Sequence, residues 1–464
     1  MSRRPARLVA SALALAVTAG GLAACGDDKE SGDAKSITVW SLEDVADRVE
    51  KTKAIIADFT AKTGVKVELV PVNEDQFPSL IASNAAAGKL PDVVGSVPLA
   101  GIQTLSANEL LDPSANGEIV DSLGKGTFSA RALELTSSDG KQLAVPSDGW
   151  GQLLLYRKDL FDKAGLTAPD TYDKITAAAA ALNKGGMAGI TAATAPGDVF
   201  TQQTFEHVAL ANGCQLTDDS GAVTLTTPNC VEAFRFYGDL MNKYSVKGAQ
   251  DVDTTRATYF TGKAAMLIWS PFILDELAGL RKDAMPTCPQ CKSDPTFLAK
   301  NSGFVTAIKG PNGTEPAQYG EISSWAVLDG ASETPAKQFV EYMLNEGYPR
   351  WFGIAPEGKF PVRKGTADDP QKFLTAWNSS KAGVDTQKPL SDIYGPDVLK
   401  TLQSSPDTFQ RWGLQQGQGK LVGAILGELP VPKALADVVA GKTTADAAAA
   451  RAQKDVEAAK AGVK

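Results

Sequence analysis

The chain has 464 residues and a formal net charge of −8, with 46 Lys and Arg against 54 Asp and Glu. An acidic chain with scattered lysines and no basic block excludes nucleic acid and polyanionic substrates as partners. A single histidine and five cysteines supply a four-ligand zinc site poorly, so no metal is expected. No GxSxG, HExxH, P-loop or dinucleotide GxGxxG motif occurs, and no cofactor is expected.

Arg3, Arg4 and Arg7 precede an apolar run over 8–19, which closes on Leu22-Ala23-Ala24-Cys25 and the polar Gly26-Asp27-Asp28. A basic start, a short apolar stretch and small residues at the cleavage point make an export signal over 1–24. The run is too short to span a bilayer. Its last four residues resemble a bacterial lipobox, which implies cleavage before Cys25 and lipid on its sulfur. Loss of the three arginines takes the formal charge from −8 to −11. Residues 25–35 then form a lipidated, polar tether, and about 440 residues remain, which favours two domains.

Order begins with a strand over 37–40. Apolar Val45, Val49, Ile55, Ile56 and Phe59 predict a helix over 45–62, stopped by Gly64. Residues 65–70 alternate as a strand, 77–87 read as a helix, and Pro91-Asp92-Val93-Val94 starts a third strand. This alternation predicts a parallel α/β sheet. A second block opens near Val145-Pro146, with a strand over 151–156 and helices over 158–165 and 171–182. Helices are predicted over 200–210, 230–244 and 254–260, a short strand over 190–192, and a buried strand over 264–269. Strands over 304–308 and 324–328, a helix over 335–344, a loop over 356–370 and an alanine-rich helix over 443–459 complete the chain. Sequence proximity pairs Cys214 with Cys230 and Cys288 with Cys291, in an exported context that permits disulfides.

The stretches ITVWS (37–41), TGVKVELV (63–70), AAGKLPDVV (86–94), VPSDGWGQLLLYRKDLFDKAGL (145–166), APDTYD (168–173), YFTGKAAMLIWSPF (259–272), SSWAVL (323–328), FVEYML (339–344) and PEGKFPVR (356–363) occur in that order. Together they resemble the carbohydrate-binding group of ABC-importer solute-binding proteins, the maltose-binding-protein-like group. The resemblance implies an α/β, two-lobe periplasmic-binding-protein-like fold of type II, with a ligand cleft between lobes and two or three crossing segments. It places the N-terminal lobe at 36–146 plus 302–348 and the C-terminal lobe at 147–301 plus 349–464, with crossings near 146–150, 301–322 and 346–356.

It also implies a non-enzymatic function. A lipid-anchored monomer on the outer face of the cytoplasmic membrane would capture a carbohydrate, an oligosaccharide, by hinge closure and deliver it to ABC permease subunits. A membrane-anchored glycoside hydrolase using two carboxylates and a binder of another polar solute are the alternatives.

A sugar site needs aromatics against the ring faces and polar groups for the hydroxyls. Trp40, Trp150 and Trp269 sit at strand ends or adjoining turns, where an open α/β sheet meets its ligand. Trp412 resembles the late stacking aromatic of the maltose-type binders, while Trp325 reads as core. Glu43, after the first strand, Asp92, opening the third, and Asp148, at the expected hinge, are candidate hydroxyl-binding carboxylates. Arg363 offers a forked donor.

Overall fold

The computed structural model describes residues 35–463. The export segment over 1–24, Cys25 and almost all of the expected tether lie outside the described residues. The strands that shape the molecule are β1 (Ser36–Ser41), β2 (Lys66–Pro71), β3 (Val93–Val97), β4 (Val145–Gly151), β5 (Leu153–Arg157), β6 (Met266–Trp269), β7 (Ser302–Val305), β8 (Gly320–Val327) and β9 (Phe360–Pro361). They form a six-stranded sheet, in the order β9-β4-β8-β3-β1-β2, and a three-stranded sheet, β6-β5-β7. β1 runs parallel to β2 and β3. β8 lies antiparallel to β3 and β4, and both pairings in the small sheet are antiparallel.

The parallel strands exist because a helix returns the chain after each. α1 (Ala46–Thr63) follows β1, α2 (Phe77–Ala86) follows β2, and α3 (Leu99–Ala107) follows β3. α1 buries Val49, Thr52, Ile55, Ile56 and Phe59, a stripe at helical spacing. It ends at Gly64, whose φ of 77° suits glycine and whose N–H caps the Thr60 carbonyl. α4 (Val199–Ala211) and α5 (Pro228–Tyr244) pack on each other and share a buried cluster with Leu154, Met266 and Ile268 of the small sheet, while α6 (Glu333–Met343) returns to the large sheet. The C-terminal helices α7 (Gly419–Glu428), α8 (Pro430–Val439) and α9 (Ala445–Gly462) follow, with α8 and α9 packing on α5. α7 packs on α3 as well as α9.

The strand predicted over 151–156 is two strands. β4 pairs with β8 through Gly151 and β5 pairs with β6 from Leu153, so the chain passes between sheets at Gln152. Asp148 therefore belongs by pairing to the large sheet, whereas a boundary at 146/147 places it in the other lobe. Residues 360–361, expected as loop and in the second lobe, pair with β4 in the same sheet. The return runs between Val305 and Gly320. The strand expected over 190–192 is reduced to a bridge from Thr191 to Leu267. Disulfides join Cys214 to Cys230 and Cys288 to Cys291, the pairs that proximity suggests.

Candidate ligand cleft

Between the two sheets lies a cleft of about 430 Å³. One wall comes from the carboxyl ends of the parallel strands: Glu43, Asp44 and Arg48 after β1, Asn73 after β2, and Ser96 in the last residues of β3. This is where an open α/β sheet offers loops to a ligand. The facing wall is Phe200 and Gln203 of α4 with Val252, Ser270 and Phe272. Trp150, Ser323, Glu321 and Lys359 complete the lining. Trp150 is half-buried and meets Phe272 edge-on at 6.5 Å and Tyr319 at 5.9 Å between ring centroids. Arg48 reaches from the first wall over the Phe272 ring, 5.1 Å from its centroid.

The charges in the lining are largely paired. Lys359, 1% exposed, places Nζ 2.6 Å from Glu43 Oε1 and 3.3 Å from Asp148 Oδ2, with its ammonium 4.6 Å from the Trp351 ring centroid. Glu43 also accepts from Arg48 Nη1 at 3.2 Å and Ser96 Oγ at 3.0 Å. Ser96 makes that contact from φ 57°, a left-handed conformation that costs a non-glycine residue energy. Burial alone raises the Glu43 carboxyl, but the Lys359 and Arg48 cations outweigh it and hold it at about 2. The same carboxylates hold Lys359 above the ordinary lysine range against its own desolvation.

A second ion network links α4 to β8. Arg411 donates to Glu206 Oε1 of α4 at 3.1 Å and to Glu321 Oε2 of β8 at 2.6 Å. Glu321 also accepts from the Leu99 N–H and the Tyr319 hydroxyl. His207 is fully buried; its Nδ1 accepts from the Tyr319 N–H, and burial lowers the imidazole to about 3.

Of the residues singled out from the sequence, Glu43 and Trp150 line the cleft. The structure places the other six elsewhere. Trp40 packs with Phe77, Val94 and Val97 beneath the sheet. Asp92 lies at the amino end of β3, opposite the ligand edge, where its oxygens accept from the Thr38 and Ser332 N–H groups. Asp148 is buried under the cleft, held by Lys359, Ser147 and the Trp351 indole. Trp269 backs the wall, edge-on to Phe200, with Nε1 donating to the Val252 carbonyl. Arg363 donates to the carbonyls of Leu344 and Leu123 and to the Thr127 hydroxyl, which occupies its fork without carboxylate or ligand. Trp412 is second-lobe core, its Nε1 on the Cys214 carbonyl.

Sequence reasoning missed Arg48, Phe200, Gln203, Phe272 and Lys359. Phe272 was within reach, since it follows the end of β6 as Glu43 follows the end of β1. Lys359 gains its position from ion pairs with Glu43 and Asp148, far away in the chain, while Arg48 is paired locally with Glu43, five residues before it. Among the described residues no group of three or more His, Cys, Asp or Glu is placed to hold a metal ion. No helix among them is long and apolar enough to cross a membrane.

A family model described as bacterial extracellular solute-binding protein matches residues 44–348. The putative ABC transporter periplasmic-binding protein YcjN of Escherichia coli (strain K12) is 28% identical over 341 residues, 70% of this chain and 73% of that protein. Maltose-bound MalE3 of T. maritima superimposes with a TM-score of 0.68 at 19% identity, covering 91% of this chain and 99% of that one. A sugar transporter of Arthrobacter chlorophenolicus A6 with bound laminaribiose gives 0.69 at 16% identity and the same coverage. The fold is therefore the two-lobe type II fold that the sequence suggests. With the family matched over most of its length and a cleft walled by both lobes, this chain belongs to the bacterial extracellular solute-binding proteins.

Proposed function

We propose that this protein is the binding component of an ABC sugar importer. It would capture a short carbohydrate between its lobes, deliver it to a membrane permease, and be held at the outer face of the cytoplasmic membrane by lipid on Cys25. The observation that carries the reading is the cleft itself. Trp150, Phe200 and Phe272 present aromatic surface from both sides of the gap. Ring C–H faces pack on such surface, while Arg48, Asn73, Gln203, Ser270 and Ser323 meet hydroxyls. The pairing of Glu43 with Lys359 and of Glu321 with Arg411 leaves a polar wall suited to a neutral ligand. Relatives of the same fold that were solved with maltose and laminaribiose support the choice of a sugar.

Ligand contact with both walls favours the closed arrangement, because only that arrangement offers both sets of contacts. No bond is made or broken in this cycle. By strand pairing we place the lobe boundary at Gln152 and assign 360–361 to the first lobe. Titration calorimetry against a panel of maltose, laminaribiose and longer glucans tests the reading. The expected result is saturable binding with a tryptophan fluorescence change, recovery of unaltered sugar, and at least tenfold loss of affinity in Trp150→Ala. Sugar turnover would instead favour the anchored hydrolase.

A further inference from the structure

Beneath Phe272 the two lobes meet along a seam of carboxyl groups that the cleft chemistry does not use. We propose that Glu357 and Asp275 are positioning residues for the sugar cleft, brought together with uptake of protons when the lobes close, so that sugar affinity weakens as pH rises through neutrality. The proposal rests on the carbohydrate reading of the cleft.

The geometry carries it. Gly358 lies flat on Phe272, for a Cβ there would stand 2.2 Å from the ring. Glu357, the preceding residue, is 2% exposed, and its Oε2 has no hydrogen-bond partner. Two residues later Lys359 enters the cleft lining, and Phe360 joins the large sheet. On the other side, the turn Leu274–Leu277 follows Phe272 and brings Asp275, 1% exposed, with Oδ1 unpartnered. Its neighbour Glu276 gives Oε1 to Arg256 at 2.9 Å and leaves Oε2 unpartnered. Buried carboxylate oxygens without partners are costly, and a proton is the smallest group that relieves them.

The surrounding charges do not neutralise the seam. Arg48 and Lys51 of α1 face Glu357, and Asp275 adds its own repulsion. Arg281 and Arg48 face Asp275, together with Asp283, and the Glu276 backbone N–H hydrogen-bonds its carboxylate. Glu276 sees Arg256, Arg281 and Asp275. The Tyr394 phenol, donating to the Leu274 carbonyl, faces both Asp275 and Glu357. Arg48 is already committed to Glu43, and Arg281 to Asp283. Burial, with mutual repulsion behind it, raises the Asp275 and Glu357 carboxyls and brings Glu276 to about 7.

Opening parts Arg48 from Phe272 and exposes the seam, where carboxyls return to their ordinary range near 4. Closure thus binds protons at every pH between that range and the raised values. The favourable contribution is complete at the acidic end and is lost as pH rises through the closed-state values, by up to about tenfold in affinity per pH unit for each proton.

The test is calorimetric titration of the wild-type protein with maltose and laminaribiose from pH 5.5 to 8. At pH 6.5 it is repeated in phosphate and in Tris, whose ionisation enthalpies differ. Expected are a tenfold or greater weakening across the range and a buffer-dependent heat that reports proton uptake. Glu357→Gln, which fixes the uncharged shape and needs no proton, should bind at least as tightly as wild type at pH 5.5, flatten the profile and reduce the uptake; Asp275→Asn is the companion variant. A pH-independent affinity without uptake overturns the proposal and leaves the carbohydrate reading standing, as does a wild-type profile in both variants. If neither sugar nor any longer glucan binds at any pH, the carbohydrate reading falls and the proposal with it. The wild-type buffer comparison decides the matter even where a variant fails to fold.

Discussion

Lys359 sits with two carboxylates and a tryptophan face around its ammonium. Removing one partner from such a buried cluster strands the others without compensation, at a cost of about 3–5 kcal/mol. Lys359→Met should lower stability by that order, read as the urea midpoint at constant slope. Acid acts on the site through two groups with the same sign. Glu43 is held at about 2, so its share of stability is present above the ordinary carboxylate range and drains as pH falls toward 2. His207, buried at about 3, takes its proton only after unfolding, so stability also falls as pH drops from about 6.5 toward 3. His207→Gln keeps an acceptor for the Tyr319 N–H, and in thermal melts from pH 7 to 4 it should flatten the upper part of that decline. At this scale the sequence was legible where one rule sufficed. Trp150 and Glu43 stand where strand ends meet a ligand, and both line the cleft. The same rule overreached at Trp40 and Asp92, because a residue near a strand end faces the ligand only from the carboxyl edge and the correct face.

The segment 356–359, just before β9, behaves as an element although it has no regular structure. Its fit depends on Gly358, where any side chain would strike Phe272. Gly358→Ala should therefore displace the Phe272 ring and weaken sugar binding by about tenfold or more, with little loss of helix or sheet by circular dichroism. Calorimetry on the folded variant checks it. Legibility of the elements followed periodicity. α1 carries a regular apolar stripe and is found within two residues of its predicted ends. α7, by contrast, reads GKLVGAILGE with three glycines and has no counterpart among the elements predicted from the sequence. The structure shows why they are there: Cβ atoms at Gly419 and Gly423 would strike Gln103 and Thr104 of α3. Close approach between helices decides this element, and local propensity does not. The split of 145–157 into two strands of different sheets was hidden for a related reason. Both halves are extended and buried, so nothing in the residue pattern marks Gln152 as a boundary.

For the whole molecule, the proposed function requires relative movement of the lobes and an anchor at the membrane. Cys25→Ala should leave sugar affinity unchanged and move the protein from the membrane fraction to the soluble one. Retention in the membrane would point to another anchor. Fold class and the two-lobe plan were recoverable from sequence because the order of motifs carries them, whereas the passage between sheets at Gln152 is set by strand pairing, which the motifs do not show. Gln152 then has a mechanical consequence. A single extended residue spans roughly 3.3–3.6 Å, so at this point the two sheets cannot drift apart and only turning about the crossing remains. The closure proposed above would be that of a book on its spine rather than a drawer on its runners. Slack added there, as two glycines after Gln152, should loosen the grip on sugar while every wall residue stays in place, a change that calorimetry and small-angle scattering would register together.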